Sequence, residues 1–415
     1  MKCVTPSTIN GTVQAPASKS MTVRAVAAGL LADGVSQIRY FSPCDDALAA
    51  VGIAKTLGAV VQDDGRSLVV HGTGRSRLKP ARAALDCRES GLCMRLFAPI
   101  AALSERGVVL KASGSLKARP MAMLEDLQRL GVSCQTAEGL APVRVQGPLR
   151  GGRIVTEASL TSQFLSGLLM ALPLAEEDSD ISVRSLRSSP YVRMTLGLLK
   201  DFGIRFSHDE GLERIFIPGR QSYRPHAHAV EGDWSGAAFL LVAGALAGRV
   251  CVQGLDADSL QADRAVLQAL EQAGASVSVD IHGVTVERKE LKPFRFDASS
   301  CPDLFAPLAA LASACHGTSV ISGAERLVHK ESDRSKALIS EFGKLGVDIT
   351  VVGTNMAIAG GDVQGGTVDS HQDHRIAMAC ATAGLIASDK VCIAGWQAVS
   401  KSYPDFFTHL EAVKE

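Results

Sequence analysis

Aromatic residues and net charge are both scarce in this chain of 415 residues. Only 5% of the residues are aromatic while 46% are hydrophobic, so the core must be built from Ala, Val and Leu, as in layered α/β proteins. Acidic and basic residues balance at 43 each, which removes the electrostatic attraction expected of a nucleic-acid or membrane-surface partner. We therefore expect no nucleic acid and no membrane as partners.

Long apolar runs are missing as well. No stretch approaches the roughly 18 uninterrupted apolar residues of a membrane span, and the opening MKCVTPSTING lacks the apolar run of a signal peptide. The expected location is therefore the cytoplasm. The chain is longer than one hydrophobic core usually supports, which favours two large lobes.

The ten cysteines form no C-x-x-C pair. Several lie in apolar runs, such as Cys315 and Cys380, which predicts buried free thiols in a reducing compartment instead of disulfides or a zinc site. His226 and His228 could bind a metal, but no cysteine or acidic ligand set lies near them in the sequence. We therefore expect no metal site.

A repeat organises the chain. Five helix-like segments end in a glycine, at positions 58, 131, 203, 274 and 346, with intervals of 73, 72, 71 and 72 residues. Such a period indicates a duplicated supersecondary unit in which the glycine is the helix C-cap before a β-rich stretch.

A second, more apolar helix is predicted ahead of each capped helix, and there are six of these: SMTVRAVAAGLLADG, SGLCMRLFAPIAALSERG, TSQFLSGLLMALPLA, DWSGAAFLLVAGALAG, PDLFAPLAALASACHG and HRIAMACATAGLIASD. They are apolar nearly all round, so they should be buried at the centres of their lobes. Six units divide into two lobes of three, residues 16–228 and residues 1–15 with 229–415. The N-terminal strand is expected to complete the last unit, with a hinge at the two crossovers.

Polar and cationic residues gather at the predicted fronts of both kinds of helix. Helix N-termini offer free N–H donors and a positive dipole end, and so bind anions. The residues are Lys19, Ser20, Arg24, Gly91, Arg95, Arg119, Thr161, Ser162, Gln163, Ser188, Tyr191, Asp233, Asp303, Lys330, Glu331, Arg334, His374, Arg375 and Lys401.

Seven of these residues are cations that oppose the helix dipole: Lys19, Arg24, Arg95, Arg119, Arg334, Arg375 and Lys401. Any one of them could be a solvated surface charge. Seven in equivalent positions of a repeat indicate a site for strongly anionic ligands.

At these positions the sequence resembles the 5-enolpyruvylshikimate-3-phosphate synthase family of enolpyruvyl transferases, over the whole chain and in order. The matching motifs are ASKSMTVRA, SGLCMR, GSLKARPM, TSQFLSGLLMALPLA, SSPYVRMT, VEGDWSGAAF, CPDLFAPLAA, HKESDR, QDHRIAMA and KSYPDFF. The resemblance implies an α/β fold described as a two-lobed inside-out α/β barrel, in which each lobe has three βαβαββ units with helices buried and sheets outside.

The resemblance also implies an activity. The enolpyruvyl group of phosphoenolpyruvate would pass to the 5-hydroxyl of shikimate 3-phosphate, a step toward chorismate and the aromatic amino acids, in a monomer without metal or organic cofactor. The implied phosphoenolpyruvate site is Lys19, Gly91, Arg119, Gln163, Arg334, Arg375 and Lys401. The implied shikimate 3-phosphate site is Lys19, Ser20, Arg24, Thr161, Ser162, Gln163, Ser188, Tyr191, Asp303 and Lys330.

For catalysis the candidates are Asp303, which would receive the hydroxyl proton, and Glu331 with Lys401 for proton transfer at the enolpyruvyl carbon, beside Lys19. Simpler structural roles stay open. Asp303 could be an N-cap, Glu331 a first-turn acid, and the triplet 161–163 a cap. His374 could be a core histidine that orients Arg375.

One departure from the family pattern and two rival interpretations remain. Glu89 stands where many family members have Asn and adds a negative charge near an anion site, with nothing in the sequence to offset it. The sister family acting on UDP-N-acetylglucosamine carries a reactive cysteine where this chain has Gly114. A catalytically silent homologue would have lost Asp303, Glu331 or the cations, and all are present.

Overall fold

The computed structural model describes residues 1–75 and 78–415, and the chain forms two compact units. One unit contains residues 1–16 and 231–415, and the other contains residues 17–230. The repeats had suggested breaks after residues 15 and 228.

Strands and helices alternate along both units. The strands are β1 Lys2–Val4, β2 Ile9–Gln14, β3 Val35–Arg39, β4 Val60–Asp63, β5 Ser67–His71, β6 Ala84–Asp86, β7 Val108–Lys111, β8 Ser133–Ala137, β9 Leu140–Gln146, β10 Gly152–Glu157, β11 Ser179–Arg184, β12 Ser207–His208, β13 Arg214–Ile217, β14 Ala227–Ala229, β15 Gly248–Gln253, β16 Ser276–Asp280, β17 Gly283–Glu287, β18 Arg295–Asp297, β19 Gly317–Ser322, β20 Asp348–Val352, β21 Asn355–Gly360, β22 Gly366–Asp369 and β23 Val391–Ala394.

The α-helices are α1 Lys19–Leu31, α2 Asp45–Thr56, α3 Gly91–Ala101, α4 Gln163–Ala171, α5 Ser189–Asp201, α6 Trp234–Ala247, α7 Val266–Gln272, α8 Phe305–Ser313, α9 Arg334–Lys344, α10 His374–Ala383 and α11 Phe406–Ala412. Short 3₁₀ helices cover Gly114–Ala118, Ala122–Leu130, Leu172–Leu174, Ala262–Ala265, Pro302–Leu304, Ala324–Leu327 and Trp396–Lys401.

Six separate sheets follow one plan. In residues 17–230 the strand orders are β14-β3-β5-β4, β6-β7-β9-β8 and β10-β11-β13-β12. The other unit has β2-β15-β17-β16, β18-β19-β21-β20 and the three-stranded β22-β23-β1. In each four-stranded sheet the first two strands are parallel and the remaining neighbours antiparallel. The α/β class is confirmed, and the word barrel applies loosely, since no sheet in the described chain closes on itself.

Three strands complete sheets far from their neighbours in sequence. The predicted crossover of the N-terminal strand is confirmed, because β1 pairs with β23 in the sixth sheet. β2 completes the fourth sheet by pairing with β15, and β14 completes the first by pairing with β3. The sequence did not predict these last two pairings. In each of them, the strand at the edge of the sheet is distant in sequence from the strand beside it.

The repeat glycines cap their helices as predicted. Gly58, Gly131, Gly203, Gly274 and Gly346 have φ of +112°, +83°, +78°, +90° and +78°, the left-handed region in which glycine avoids the Cβ penalty. In the second unit of the repeat the capped helix is 3₁₀ along its length and not an α-helix.

The apolar helices form the cores. In α6 every residue from Trp234 to Ala247 is buried, and α1, α3, α4, α8 and α10 are almost as fully covered. Each unit has its own hydrophobic cluster built mainly of Ala, Leu and Val. Among the described residues, none of the helices combines the length and the apolar character needed to cross a lipid bilayer.

The cysteines follow the prediction with one exception. Eight are free and buried, and burial raises the pKa of thiols such as Cys93 and Cys301, which keeps them protonated. Cys3 and Cys392 form a disulfide, so the prediction of free thiols was wrong for this pair. The antiparallel pairing of β1 with β23 places the two residues directly opposite each other, 389 positions apart in sequence.

Candidate active site

In the unit of residues 17–230, the front of α1 carries a lysine that is already paired. Lys19 is the first residue of α1, behind the N-cap Ser18, and its Nζ lies 3.3 Å from Oδ2 of Asp46. The two side chains are 15% and 6% exposed. Because Asp46 offsets the charge of Lys19, a cation is tolerated at a helix end that repels it.

Arg24 is buried and acts within the protein. Its guanidinium donates to Oγ1 of Thr195 at 2.9 Å, to the carbonyl of Ser20 at 2.9 Å, to Oγ of Ser166 at 3.3 Å and to the carbonyl of Tyr191 at 3.4 Å. Burial lowers its pKa to about 10. Arg24 therefore ties α1 to α4 and α5 and fixes the positions of the predicted site residues Ser20 and Tyr191.

The start of α3 brings together three residues of the predicted phosphoenolpyruvate site: Gly91, Arg119 and Gln163. A Cβ at Gly91 would lie 2.9 Å from Nη1 of Arg95 and 3.0 Å from Nη1 of Arg119, so only glycine leaves both guanidinium groups in place. Arg95 donates to Oε1 of Gln163 at 2.7 Å and to the carbonyl of Pro120 at 2.9 Å. Arg95 thus orients Gln163 and the segment that carries Arg119.

The carboxylate of Glu89 is stabilised by hydrogen bonds that the sequence did not indicate. Its Oε2 accepts hydrogen bonds from the N–H of Ser115 at 3.0 Å and from its hydroxyl at 2.8 Å. A side chain at Gly114 would collide with the Glu89 carboxylate, and Gly114 has a φ of +48°. Glu89 therefore holds the loop ahead of Arg119 and leaves room for glycine alone at position 114.

Two of the three hydroxyl groups at the fronts of α4 and α5 do not cap their helices. Ser162 and Ser188 are the N-cap residues of these helices, and their hydroxyls accept no capping hydrogen bond from the described chain. Both residues are buried. The hydroxyl of Thr161 does accept from the N–H of Gln163, at 3.2 Å.

In the other unit, one carboxylate meets three cations. Asp303 accepts from Nζ of Lys330 at 3.2 Å and Nη1 of Arg334 at 2.9 Å, both on Oδ1. Its Oδ2 accepts from Nη2 of Arg375 at 3.2 Å. The Asp303 side chain keeps 23% exposure, and it lies inside the 3₁₀ turn ahead of α8 instead of at the N-cap of that helix. The capping explanation for Asp303 is therefore not supported.

Arg334 holds this cluster together from inside. It is fully buried, and it donates to Oε2 of Glu331 at 2.7 Å and, from Nε, to Oδ2 of Asp373 at 2.9 Å. Asp373 is also the N-cap of α10 and accepts from the N–H of Arg375. Three carboxylates thus balance three cations, which explains how Arg334 and Arg375 are tolerated at the starts of α9 and α10.

Burial and neighbouring charge shift the pKa values in this cluster. Burial lowers the pKa of Lys330 to about 8, with Arg334 and Arg326 acting in the same direction and Asp303 opposing them. Burial also opposes the charged forms of Arg334 and Arg375, but their carboxylate partners outweigh it and raise both pKa values. Lys330 is therefore the cation whose charge is easiest to remove.

The structure also places three other predicted residues. Asp233 is the N-cap of α6 and accepts from the N–H of Ser235 at 3.2 Å. His374 is buried at the start of α10 with Nδ1 3.8 Å from Asp373. Lys401 ends a 3₁₀ helix and is 6% exposed, so it does not lie at the front of α11 as predicted.

Sequence reasoning missed two acids, and the repeat itself held the signal for one of them. Asp46 lies twelve residues ahead of its capping glycine, the same interval that separates Arg119, Tyr191 and Arg334 from theirs. Asp263 lies eleven residues ahead of its glycine. Burial and the charge of Asp303 raise the pKa of Asp263 to about 6, while Arg375 opposes them. Asp46 therefore occupies the repeat position of Arg119, Tyr191 and Arg334, and Asp263 lies one residue after that position.

Comparison with known proteins gives the family. The family model described as EPSP synthase (3-phosphoshikimate 1-carboxyvinyltransferase) matches residues 4–410. A 3-phosphoshikimate 1-carboxyvinyltransferase of Clostridium novyi (strain NT) is 35% identical over 420 residues, covering 99% of this chain and 96% of that protein. One of Halobacterium salinarum (strain R1) is 37% identical over 419 residues, covering 97% of this chain and 96% of that protein.

Solved structures agree with the sequence relatives. A structure of EPSP synthase from Acinetobacter baumannii superposes with a TM-score of 0.83 at 27% identity, covering 99% of this chain and 98% of that one. The match spans both compact units and the motifs that carry the candidate site residues. The chain therefore belongs to the EPSP synthase (3-phosphoshikimate 1-carboxyvinyltransferase) family.

Proposed function

We propose that this protein transfers the enolpyruvyl group of phosphoenolpyruvate to the 5-hydroxyl of shikimate 3-phosphate and releases phosphate. The product, 5-enolpyruvylshikimate 3-phosphate, leads to chorismate and the aromatic amino acids. The protein acts in the cytoplasm as a monomer, with the two small molecules as its partners. The observation that carries the proposal is the cluster of Lys330, Arg334 and Arg375 around Asp303, in a chain of this family.

Phosphoenolpyruvate is assigned to the cationic groups. Arginine forks match carboxylate and phosphate oxygens in pairs, and Arg334 and Arg375 are held in fixed orientations by Asp303 and Asp373. Arg119 beside Gly91, and Gln163 oriented by Arg95, are further donors assigned to this substrate. The residues assigned to this substrate are Lys19, Gly91, Arg119, Gln163, Arg334, Arg375 and Lys401.

Shikimate 3-phosphate is assigned to the hydroxyl-bearing helix fronts. The N-cap hydroxyls of Ser162 and Ser188 and the N–H groups of α4 and α5 offer donors to its phosphate. The residues assigned to it are Lys19, Ser20, Thr161, Ser162, Gln163, Ser188, Tyr191, Asp303 and Lys330. Arg24, expected in this set, supports Ser20 and Tyr191 from behind.

The reaction needs a base and an acid. The 5-hydroxyl adds to C2 of phosphoenolpyruvate while C3 takes up a proton. The tetrahedral adduct then expels phosphate while C3 gives up a proton, which restores the enolpyruvyl double bond. Asp303 is assigned the hydroxyl proton because its carboxylate is partly exposed and fixed on both oxygens. Glu331, held by Arg334, and Lys401 are assigned proton transfer at the enolpyruvyl carbon, beside Lys19.

The deciding experiment is phosphate release from phosphoenolpyruvate with each of two acceptors. We expect release with shikimate 3-phosphate and none with UDP-N-acetylglucosamine. The collision of any side chain at position 114 with Glu89 favours this outcome, because the sister family carries its reactive cysteine there. Release only with the nucleotide sugar would overturn the proposal, and no release with either would indicate a silent homologue.

Substituting Gly91→Ala should weaken phosphoenolpyruvate binding. The added methyl group would lie 2.9 Å from Nη1 of Arg95 and 3.0 Å from Nη1 of Arg119, so both guanidinium groups must move. We expect KM for phosphoenolpyruvate to rise by at least about tenfold, since a loss of roughly 1.4 kcal/mol of binding free energy weakens binding tenfold. KM for shikimate 3-phosphate should stay within about twofold. Gly52→Ala, at an exposed position of α2 with open space around it, is the control, and equal effects of both substitutions would contradict the prediction.

Binding of shikimate 3-phosphate should weaken as the pH rises through 8. Lys330, with a pKa of about 8, loses its charge in this range, so a binding mode that uses the cation is strongest below it. We expect Kd, measured by calorimetry, to rise about tenfold between about pH 7 and about pH 9. In the Lys330→Arg variant the guanidinium stays charged and the rise should vanish; the same rise in that variant would exclude Lys330.

The hinge expected at the two crossovers leads to a further prediction, that the protein closes on its substrates. If residues of both units bind the same two ligands, adding both should draw the units together about the crossovers near residues 16 and 230. Small-angle scattering should then show a smaller radius of gyration with both ligands than without them. An unchanged radius would count against closure while leaving the chemistry untouched.

A further inference from the structure

Two histidines outside the candidate active site lie on one side of a strand. His228 lies within β14 and His226 just precedes it, and side chains two positions apart on a strand point to the same face. Their ring centroids are 6.4 Å apart. β14 pairs in parallel with β3, and the N–H of His226 donates to the hydroxyl of Ser36 at 3.3 Å, so the backbone that carries both rings is fixed.

The fold brings a carboxylate to the same place. Asp201 is the last residue of α5, and its Oδ2 lies 3.7 Å from Nδ1 of His228. One ligand atom from each of Asp201, His226 and His228 lies within 4.8 Å of the others. Zinc bonds of about 2.0–2.2 Å require ligand atoms about 3.4 Å apart, so a pair of ligand atoms at the outer limit would have to approach by about 1.4 Å. The Asp201 side chain is 47% exposed and has room to move, and its carboxylate already lies 3.7 Å from His228.

The surroundings suit a cation that prefers nitrogen. The C-terminal end of α5 carries the negative end of the helix dipole, and Asp201 adds a full negative charge there. The neighbouring Lys200 is turned away, with Nζ over the ring of Phe206 at 5.8 Å. Two imidazoles and one carboxylate favour zinc, whereas magnesium and calcium take oxygen ligands.

We propose that Asp201, His226 and His228 form a zinc site, with water in the fourth position on the exposed side of Asp201. The ion joins the end of α5, in the third repeat, to β14, the strand that completes the sheet of the first repeat. β14 ends at Ala229, one residue before the last residue of its unit. Zinc therefore stabilises the position of β14, the strand that leads into the second crossover.

The test is zinc binding by the full-length protein after removal of metals with a chelator. Titration with zinc against a chromophoric competitor should give one ion per chain. Cobalt in place of zinc should give the intense visible bands of four-coordinate cobalt, without a thiolate charge-transfer band, because no cysteine belongs to the site. Zinc at about 100 times its Kd should raise the folding equilibrium constant about 100-fold in urea denaturation.

The variants separate this site from adventitious binding. His228→Gln and Asp201→Asn should each weaken zinc binding by at least about tenfold and remove the zinc-dependent stabilisation. Asp201 is half exposed, so Asp201→Asn tests the site even if a histidine variant folds poorly. His71→Gln, an exposed histidine on β5 of the same sheet, is the matched control. No zinc binding by the unaltered protein, or equal binding by all variants, would overturn the proposal.

Discussion

Replacing Asp303 with Asn should lower turnover at least about a hundredfold, the usual scale for loss of a general base. The amide keeps the shape of the carboxylate but cannot take the hydroxyl proton. It also leaves Lys330, Arg334 and Arg375 facing one negative charge fewer, so anionic ligands should bind as tightly as before or more tightly. The loss should therefore appear in kcat, while the Kd for shikimate 3-phosphate, measured by calorimetry, does not rise.

Asp348→Asn is the matched control, since Asp348 is an exposed acid at the start of β20 in the same unit. It should leave kcat within about twofold, as expected of a surface substitution away from the site. Unchanged turnover in Asp303→Asn would remove Asp303 from the mechanism. If Asp303→Asn lowered thermal stability as well as turnover, Asp303 would instead be assigned a structural role.

Replacing Arg334 with Ala should lower the free energy of unfolding by about 3–5 kcal/mol, the cost of breaking a buried ion pair by removing one partner. Arg334 is fully buried, and its removal takes a cation from three carboxylates, those of Asp303, Glu331 and Asp373. The measurement is the urea midpoint at constant m-value. Activity should be lost as well, since Arg334 is assigned to phosphoenolpyruvate.

A matched substitution on the same helix makes this prediction specific. Lys336→Ala removes a cation from the same helix, but the side chain is 84% exposed and its pair with Asp333 should contribute less than about 1 kcal/mol. A deficit that is small at neutral pH, or equal to that of Lys336→Ala, would contradict the buried network.

The local features of the fold were predictable because each depends on residues that are neighbours in the chain. A capping glycine follows its helix directly, so the positive φ at Gly58 or Gly346 could be predicted from position alone. Burial of α6 follows from an apolar sequence on every side. The family motifs are local too, which is why the candidate residues at the helix fronts were identified before their partners.

Most partners of the candidate site residues could not be predicted from the sequence, although the repeat does contain a signal for one of them. Asp46 occupies the repeat position of Arg119, Tyr191 and Arg334, so comparing the repeats residue by residue would have found it, whereas Asp263 lies one residue after that position. The bond from Glu89 to Ser115 has no such signal, because it depends on how a loop folds over the start of α3.

The sequence alone determined the six-part repeat, the buried and capped helices, the concentration of cations at helix fronts and the enzyme family. Only the tertiary structure decided which strand completes which sheet, that Cys3 pairs with Cys392, that Arg24 faces inward, and that Asp201 meets His226 and His228. The physical reason is that periodic burial and capping are enforced within one turn or strand. Contacts between distant segments depend on how complete elements pack, and no short pattern in the chain records that packing.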